Sequence, residues 1–320
     1  MALAAVNTSQ DLFSDESINQ VRDQLRSYIV TSDKSQTQIA REIGVSGSVL
    51  SQFQKGIYTG TNEKIAYAVQ QWLELETRRQ TTVKVPGFAM TTIAEEVIAI
   101  AKYAHEHQDT GVVYGPAGSG KTVALKQYVE QNPGTVFLTA DVTISNSKAI
   151  LEELLDKLGR QEYGDRRRLR KAAVTILKGS GRLIIIDEAQ HLTLKALETI
   201  RSIYDECGIG LVLSGNEQVY TNMIGKRNAP FAQLFSRVGI RRGLSGKVNM
   251  DDIKKIVCQD MAVEKECLEQ FHKIASTPGG MRLMVKLFVL AWTIANGLNE
   301  PLSLDAIRTA QDFLFQQPWR

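Results

Sequence analysis

Apolar positions change their rhythm along this chain, and each change marks a new kind of element. From Ile18 the spacing is helical, through Val21, Leu25, Tyr28 and Ile29. Residues 35–60 read as helix, tight turn, helix. Ile39, Ala40 and Ile43 face inward from the first helix, and Val49, Leu50 and Phe53 from the second. Gly44 supplies the turn and Ser46 a helix cap. A longer helix over 62–79 adds Ile65, Ala68, Val69, Trp72 and Leu75 to the same core. Residues 76–91 are polar, rich in Thr and broken by Pro86-Gly87, which predicts a linker. A helix over 92–106 follows. From there, short, largely apolar runs at 110–115, 136–139, 183–186 and 209–214 alternate with helical patterns at 123–131, 145–158 and 196–207. Runs of that kind are strands of a parallel sheet buried on both faces. After Met250 the strand pattern stops, and 250–261, 264–275, 280–295 and 303–316 read as four helices.

The expected organisation is therefore a small all-helical domain over 1–80, a linker over 81–91, an α/β core over 92–248 and a helical lid over 249–320. Residues 1–17 are polar and acidic and read as a frayed end.

Chemistry enters after the first strand. Gly115, Pro116, Ala117, Gly118, Ser119, Gly120, Lys121 and Thr122 form the G-x-x-x-x-G-K-[ST] phosphate loop, between a strand and a helix as that motif requires. Its glycines let the backbone turn sharply, and its N–H groups and the helix N-terminus favour a polyphosphate. Lys121 is placed to reach the β and γ phosphates, and the Thr122 hydroxyl to sit on Mg²⁺. The run Leu183-Ile-Ile-Ile ends in two carboxylates, Asp187 and Glu188. At the C-terminal end of a buried strand they open onto the site crevice. Asp187 suits a metal's water shell, and Glu188 suits orienting and deprotonating an attacking water. Asn216, after the next strand, is a polar amide within reach of a γ phosphate. Residues 226–242 hold Arg237, Arg241 and Arg242, any of which suits a phosphoryl-transfer site completed by a neighbouring subunit, a DNA backbone contact or plain surface charge. Arg282 opens the third lid helix and can fold back on a nucleotide or close a helix-end ion pair.

Net charge is only +3, so a nucleic-acid surface must come from local clustering. Residues 160–182 supply one candidate, with eight basic and two acidic side chains, among them Arg166, Arg167 and Arg168. Such a run is either a solvated helix face or a phosphate-backbone contact. Cys207, Cys258 and Cys267 stand far apart without metal spacing and read as reduced thiols of a cytosolic protein. The first residues lack the pattern of a signal peptide, and the most apolar stretch, 283–295, carries Lys286 and is too short to span a bilayer.

Residues 35–60 resemble the helix-turn-helix of repressor-like DNA-binding domains. That resemblance places Ser46, Gly47, Ser48, Ser51, Gln52 and Lys55 toward a groove or phosphates; a protein-docking module is the other reading. The phosphate loop, the acidic strand, Asn216, the arginines and the lid together resemble an AAA+ ATPase over about residues 88–320. The resemblance implies ATP and Mg²⁺, Asn216 as sensor 1, Arg282 as sensor 2, and Arg237 as the finger read in trans, with Arg241 second. The segments IAREIGVSGSVLSQF, LIIIDEAQHL, GIGLVLSGN, FAQLFSRV and PGGMRLM narrow it further. They are similar to the transposition ATPases typified by protein B of phage Mu, relatives of the ATPase regulators of Tn7-like transposons. Membership would imply ATP-dependent assembly into a helical filament on double-stranded DNA with little sequence preference. It would also imply capture of target DNA, stimulation of a DDE transposase, slow hydrolysis that the transposase triggers, and work in the cytoplasm of a bacterial host. Lys148 and Arg166–Arg168 would then line the filament interior. A replicative helicase loader and a signalling NTPase are the competing classes.

Overall fold

A computed structural model describes residues 14–81, 85–224, 238–259, 261–277 and 279–315. The chain divides into two compact units, Met1–Val83 and Lys84–Arg320.

The first unit is all helical: α1 (Asp15–Thr31), α2 (Gln36–Ile43), α3 (Gly47–Lys55) and α4 (Asn62–Thr81). Helix α1 begins three residues inside the stretch read as frayed, because Ser14 accepts the Ser17 N–H and Asp15 and Glu16 suit the positive helix end. The turn after α2 is made by Gly44 at φ +84°, a left-handed conformation that costs glycine little. Leu25, Ile39, Leu50, Phe53 and Val69 are fully buried and form the core. On α4 the inward positions differ from expectation. Ala66 is buried, Ala68 only partly, and Leu75 is exposed, because Tyr28 and Trp72 pack edge to face and fill that end of the core. Lys34 ties Glu42 and Glu76 together at 2.8 and 3.0 Å and lies over the Trp72 ring. Lys34 and the Trp72 N–H hold the Glu42 carboxyl below its ordinary range.

The second unit opens with α5 (Thr92–Glu106) and continues through β1 (Thr110–Tyr114), α6 (Lys121–Gln131), β2 (Thr135–Thr139), α7 (Ser147–Lys157), α8 (Arg166–Leu177) and β3 (Leu183–Asp187). A 3-10 turn (Ala189–His191), α9 (Leu194–Cys207), β4 (Gly210–Gly215), α10 (Glu217–Ile224) and β5 (Val238–Gly243) complete the sheet layer. The strands lie in the order β2-β3-β4-β1-β5, all parallel. The buried strand side chains sort by a period of two. Ile184 and Ile186 join the core with α7, α8 and α9, while Leu183 and Ile185 join the core with α5 and α6. The sheet is thus covered on both faces, as parallel sheets require. The cap of α7 is Asn146, whose side chain accepts the Lys148 and Ala149 N–H groups, while the Ser145 carbonyl accepts the Thr193 N–H. Strand β5 was not expected. Its side chains are mostly exposed, so it lacks the apolar run that marks a buried strand.

The lid has its own core. Helices α11 (Met250–Val257), α12 (Lys265–Ala275), α13 (Gly280–Gly297) and α14 (Leu304–Phe315) pack Ile253, Phe271, Met284, Leu287, Phe288 and Ile307 together. Helix α11 also straps the segment before α5. Asp252, 1% exposed, accepts the Thr92 N–H at 2.8 Å, and Lys255 and Gln259 donate to the Met90 and Gly87 carbonyls. The strap supplies a partner for one orphan N–H at the start of α5. Asp252→Ala is expected to cost about 2 kcal/mol, since the Thr92 N–H loses a hydrogen bond to a charged group. Thermal unfolding checks this, and an unchanged midpoint would refute it.

Candidate functional site

The sheet order decides where the site lies. β4 separates β1 from β3, and the chain leaves β1 by crossing to the far edge at β2. In open α/β sheets the crevice at the C-terminal strand ends is where ligands bind. Here it is walled by the loop after β1, the end of β3, the end of β4 and the start of α13.

The phosphate loop turns through two left-handed glycines, Gly118 at φ +75° and Gly120 at φ +102°. A Cβ on Gly118 would fall 2.6 Å from the Gly279 carbonyl oxygen and 3.4 Å from the Arg282 Cβ. Glycine there lets the lid helix close directly onto the loop, and it sets Arg282 beside it. Lys121 is 8% exposed. Its Nζ donates to the Gly115 and Pro116 carbonyls at 3.0 and 2.9 Å and lies 3.4 Å from the Ser119 Oγ. Burial pushes the Lys121 ammonium below its ordinary range; Asp187 and Glu188 pull it back, and the nearby Arg282 charge opposes them.

Thr122 Oγ1 donates to Asp187 Oδ2 at 2.6 Å. The second carboxylate oxygen, Asp187 Oδ1, is buried with no hydrogen-bond partner among the described residues. A buried acceptor in that state is costly unless something binds it. A hydroxyl and an anionic oxygen at the phosphate loop are the hard oxygen donors Mg²⁺ takes, usually through water and substrate phosphates. The residues therefore fit the ion, which Thr122 and Asp187 would hold.

Glu188 sits at φ +54°, a left-handed position uncommon for a non-glycine residue. That twist turns its side chain off the strand end, where the Gln190 amide nitrogen donates to Oε2. Gln190 Oε1 in turn accepts the Asn216 N–H at 3.3 Å. Asn216 spends its side-chain oxygen on the Gln218 N–H at 2.8 Å, capping α10, which leaves its amide nitrogen as the donor end. Lys121, Thr122, Asp187, Glu188, Asn216 and Arg282 thus surround one crevice. Sequence reasoning missed Gln190. Its position two residues after Glu188 was the available signal.

The other candidates lie elsewhere. Arg237 falls outside the described residues. Arg241 is exposed on β5, and Arg242 forms a bidentate pair with Glu96 at 2.8 Å on each arm. Arg166, Arg167 and Arg168 occupy the first turn of α8, capped by Asp165. Arg168 is paired with Glu162 at 2.7 Å. Lys148, on the first turn of α7, lies 3.6 Å from Glu152. In the first unit Ser46 Oγ accepts the Val49 N–H and lies 2.9 Å from Ser48 Oγ, so its hydroxyl is engaged in starting α3. Gln52 and Lys55 are exposed on α3.

A phosphate loop, a buried acidic strand, an intervening strand ending in a polar amide and a lid closing from the C-terminal side define a P-loop NTPase of the AAA class. Residues 104–223 match the AAA domain family, and residues 236–314 match the family described as Mu B transposition protein, C terminal. The chain is 33% identical over 296 residues to the ATP-dependent target DNA activator B of Escherichia phage Mu, covering 92% of this chain and 94% of that protein. It is 29% identical over 268 residues to the DNA transposition protein B of the Mu-like prophage FluMu of Haemophilus influenzae, covering 82% of this chain and 93% of that protein. The chain belongs to the Mu transposition protein B family. The ORC2 protein of Aeropyrum pernix in its ADP form shares the fold, with a TM-score of 0.55 and 19% identity over 71% of this chain and 69% of that one. Among the described residues no helix is long and apolar enough to cross a membrane.

Proposed function

We propose that this protein is an ATPase that binds double-stranded DNA in an ATP-dependent way, with little sequence preference, and hands that DNA to a DDE transposase as the target of transposition. The observation that carries the reading is the convergence of Lys121, Thr122, Asp187, Glu188, Asn216 and Arg282 on one crevice, in a chain whose phage Mu relative is named an ATP-dependent target DNA activator. In this reading ATP binds the phosphate loop through Lys121 and the loop N–H groups. Mg²⁺ supplies charge neutralisation to the phosphates. Glu188 accepts a proton from water as the water oxygen bonds to the γ phosphorus and the bridging oxygen leaves with ADP. Asn216 and Arg282 read the γ phosphate from opposite walls.

ATP would also join subunits. Arg237, or Arg241 in second place, would reach the nucleotide of a neighbouring copy, so that a helical filament forms only with ATP. The transposase would trigger hydrolysis and release, in the cytoplasm of a bacterial host. DNA contact is assigned to Arg166, Arg167, Arg168 and Lys148, and to Ser46, Ser48, Gln52 and Lys55 on the helix-turn-helix. The placement of the three arginines supports this. Cations in the first turn of a helix oppose its macrodipole, so they do not serve helix stability. Arg166 and Arg167 have no acidic partner among the described residues.

The test is retention of the full chain on random-sequence double-stranded DNA with ATP, ADP or neither, at low and high salt. Retention with ATP alone, falling steeply with salt, is expected. Retention independent of nucleotide, or a preference for single strands as a helicase loader would show, overturns the reading. The double variant Arg166→Ser, Arg167→Ser should weaken binding to all sequences alike and reduce the salt slope by about two. An unchanged slope would return these arginines to a solvated face.

A further inference from the structure

We infer that Gln190 is a positioning residue for hydrolysis, one that fixes the Glu188 carboxylate against the turn carrying Asn216. The inference rests on the reading of Glu188 as the base.

The bridge is built from two ends that leave no choice of orientation. The Glu188 carboxylate only accepts hydrogen bonds, and the Asn216 N–H only donates. A side chain joining them must donate at one end and accept at the other. Gln190 does so with Nε2 on Glu188 Oε2 and Oε1 on the Asn216 N–H at 3.3 Å. A lysine could not accept, and a carboxylate could not donate. The room for this amide is made by Gly215, the last residue of β4. A Cβ there would overlap Gln190 Oε1 and fall 2.5 Å from Val219 Cγ2.

The backbone holds the bridge in place. Residues 189–191 form a 3-10 turn in which the His191 N–H donates to the Glu188 carbonyl at 3.0 Å and the Leu192 N–H to the Ala189 carbonyl at 3.1 Å. Ala189 is buried, which anchors the turn to the sheet. Glu188 itself sits at the left-handed φ of +54°. A side chain leaving such a position has no strand neighbour to fix its direction. The Gln190 amide fixes it instead. Because the other end of that amide is attached to the residue after β4, the base and the γ-phosphate reader form one hydrogen-bonded unit. A base held in place need not be ordered during the reaction, and loss of such orientation reduces turnover rather than substrate binding.

Steady-state ATP hydrolysis by the full chain tests this, with Gln190→Met, Gln190→Glu and Glu188→Gln measured side by side. Gln190→Met keeps the side chain's length but removes both hydrogen bonds. It is expected to lower kcat about 10-fold or more, as loss of orienting partners does elsewhere, with KM for ATP and the thermal midpoint unchanged. Gln190→Glu keeps the acceptor for Asn216 but removes the donor to Glu188 and sets a like charge against it, so kcat should fall with KM for ATP unchanged. A Gln190→Met enzyme with wild-type kcat, a defect confined to KM, or a Gln190→Glu enzyme with wild-type kcat would each overturn the proposal. Glu188→Gln separates the two failures. If it loses turnover while Gln190→Met does not, only this inference falls. If it keeps turnover, the reading of Glu188 as the base falls first.

Discussion

Lys121→Ala is expected to abolish ATP-dependent retention on DNA. The side chain is nearly enclosed, and its ammonium is held at 3.0 and 2.9 Å from two loop carbonyls. Burial already disfavours its charge, and the Asp187 and Glu188 carboxylates oppose that effect. A polyphosphate entering the loop would supply further anionic oxygens to this cation. Each charge-assisted hydrogen bond of that kind contributes about 1.5–3 kcal/mol. Alanine should therefore weaken ATP binding by about one to two orders of magnitude per bond lost. Titration with a fluorescent ATP analogue measures the affinity, and the DNA retention assay measures its consequence. The thermal midpoint serves as the folding control, because the variant removes a desolvated charge without opening the sheet. Wild-type affinity in Lys121→Ala would sink the assignment of this loop as the nucleotide site.

Glu188→Gln separates binding from hydrolysis. The substitution keeps the side chain's shape and its acceptor for the Gln190 amide while removing its capacity to take a proton. General-base catalysis contributes about 10²–10⁴-fold, so turnover should fall by that order with ATP affinity intact. If hydrolysis is the release step, the variant should load onto DNA with ATP and then stay. The measurement is the dissociation rate after dilution into competitor DNA, followed alongside phosphate release. A variant that hydrolyses slowly yet leaves DNA as fast as wild type would show that ATP turnover does not time the complex.

Much of this site was legible in the linear sequence because its parts are local. The phosphate loop is a contiguous segment whose glycines and Lys-Thr pair act through backbone geometry within one turn. Asp187 and Glu188 announce themselves by ending an unbroken apolar run. The helix-turn-helix is legible for the same reason: Gly44 and the Ser46 cap are both short-range devices. Where the sequence misled, the competing effect was non-local. Leu75 is exposed because Tyr28, 47 positions earlier in the chain, packs on Trp72 and fills that end of the core. Strand β5 lacks an apolar run because it lies at the sheet edge and is a strand through pairing with β1.

The sequence by itself determined the period of each segment, the position of the phosphate loop and the chemistry at the end of β3. These follow from side-chain alternation and backbone conformations set by immediate neighbours. Only the tertiary structure decided the strand order that inserts β4 between β1 and β3, and with it the meeting of Glu188, Gln190 and Asn216. It alone set Gly279 and Arg282 of the lid against Gly118, more than 150 residues earlier in the chain. Contacts of that separation depend on which apolar faces bury together once loops are closed, and no window of neighbouring residues carries that information.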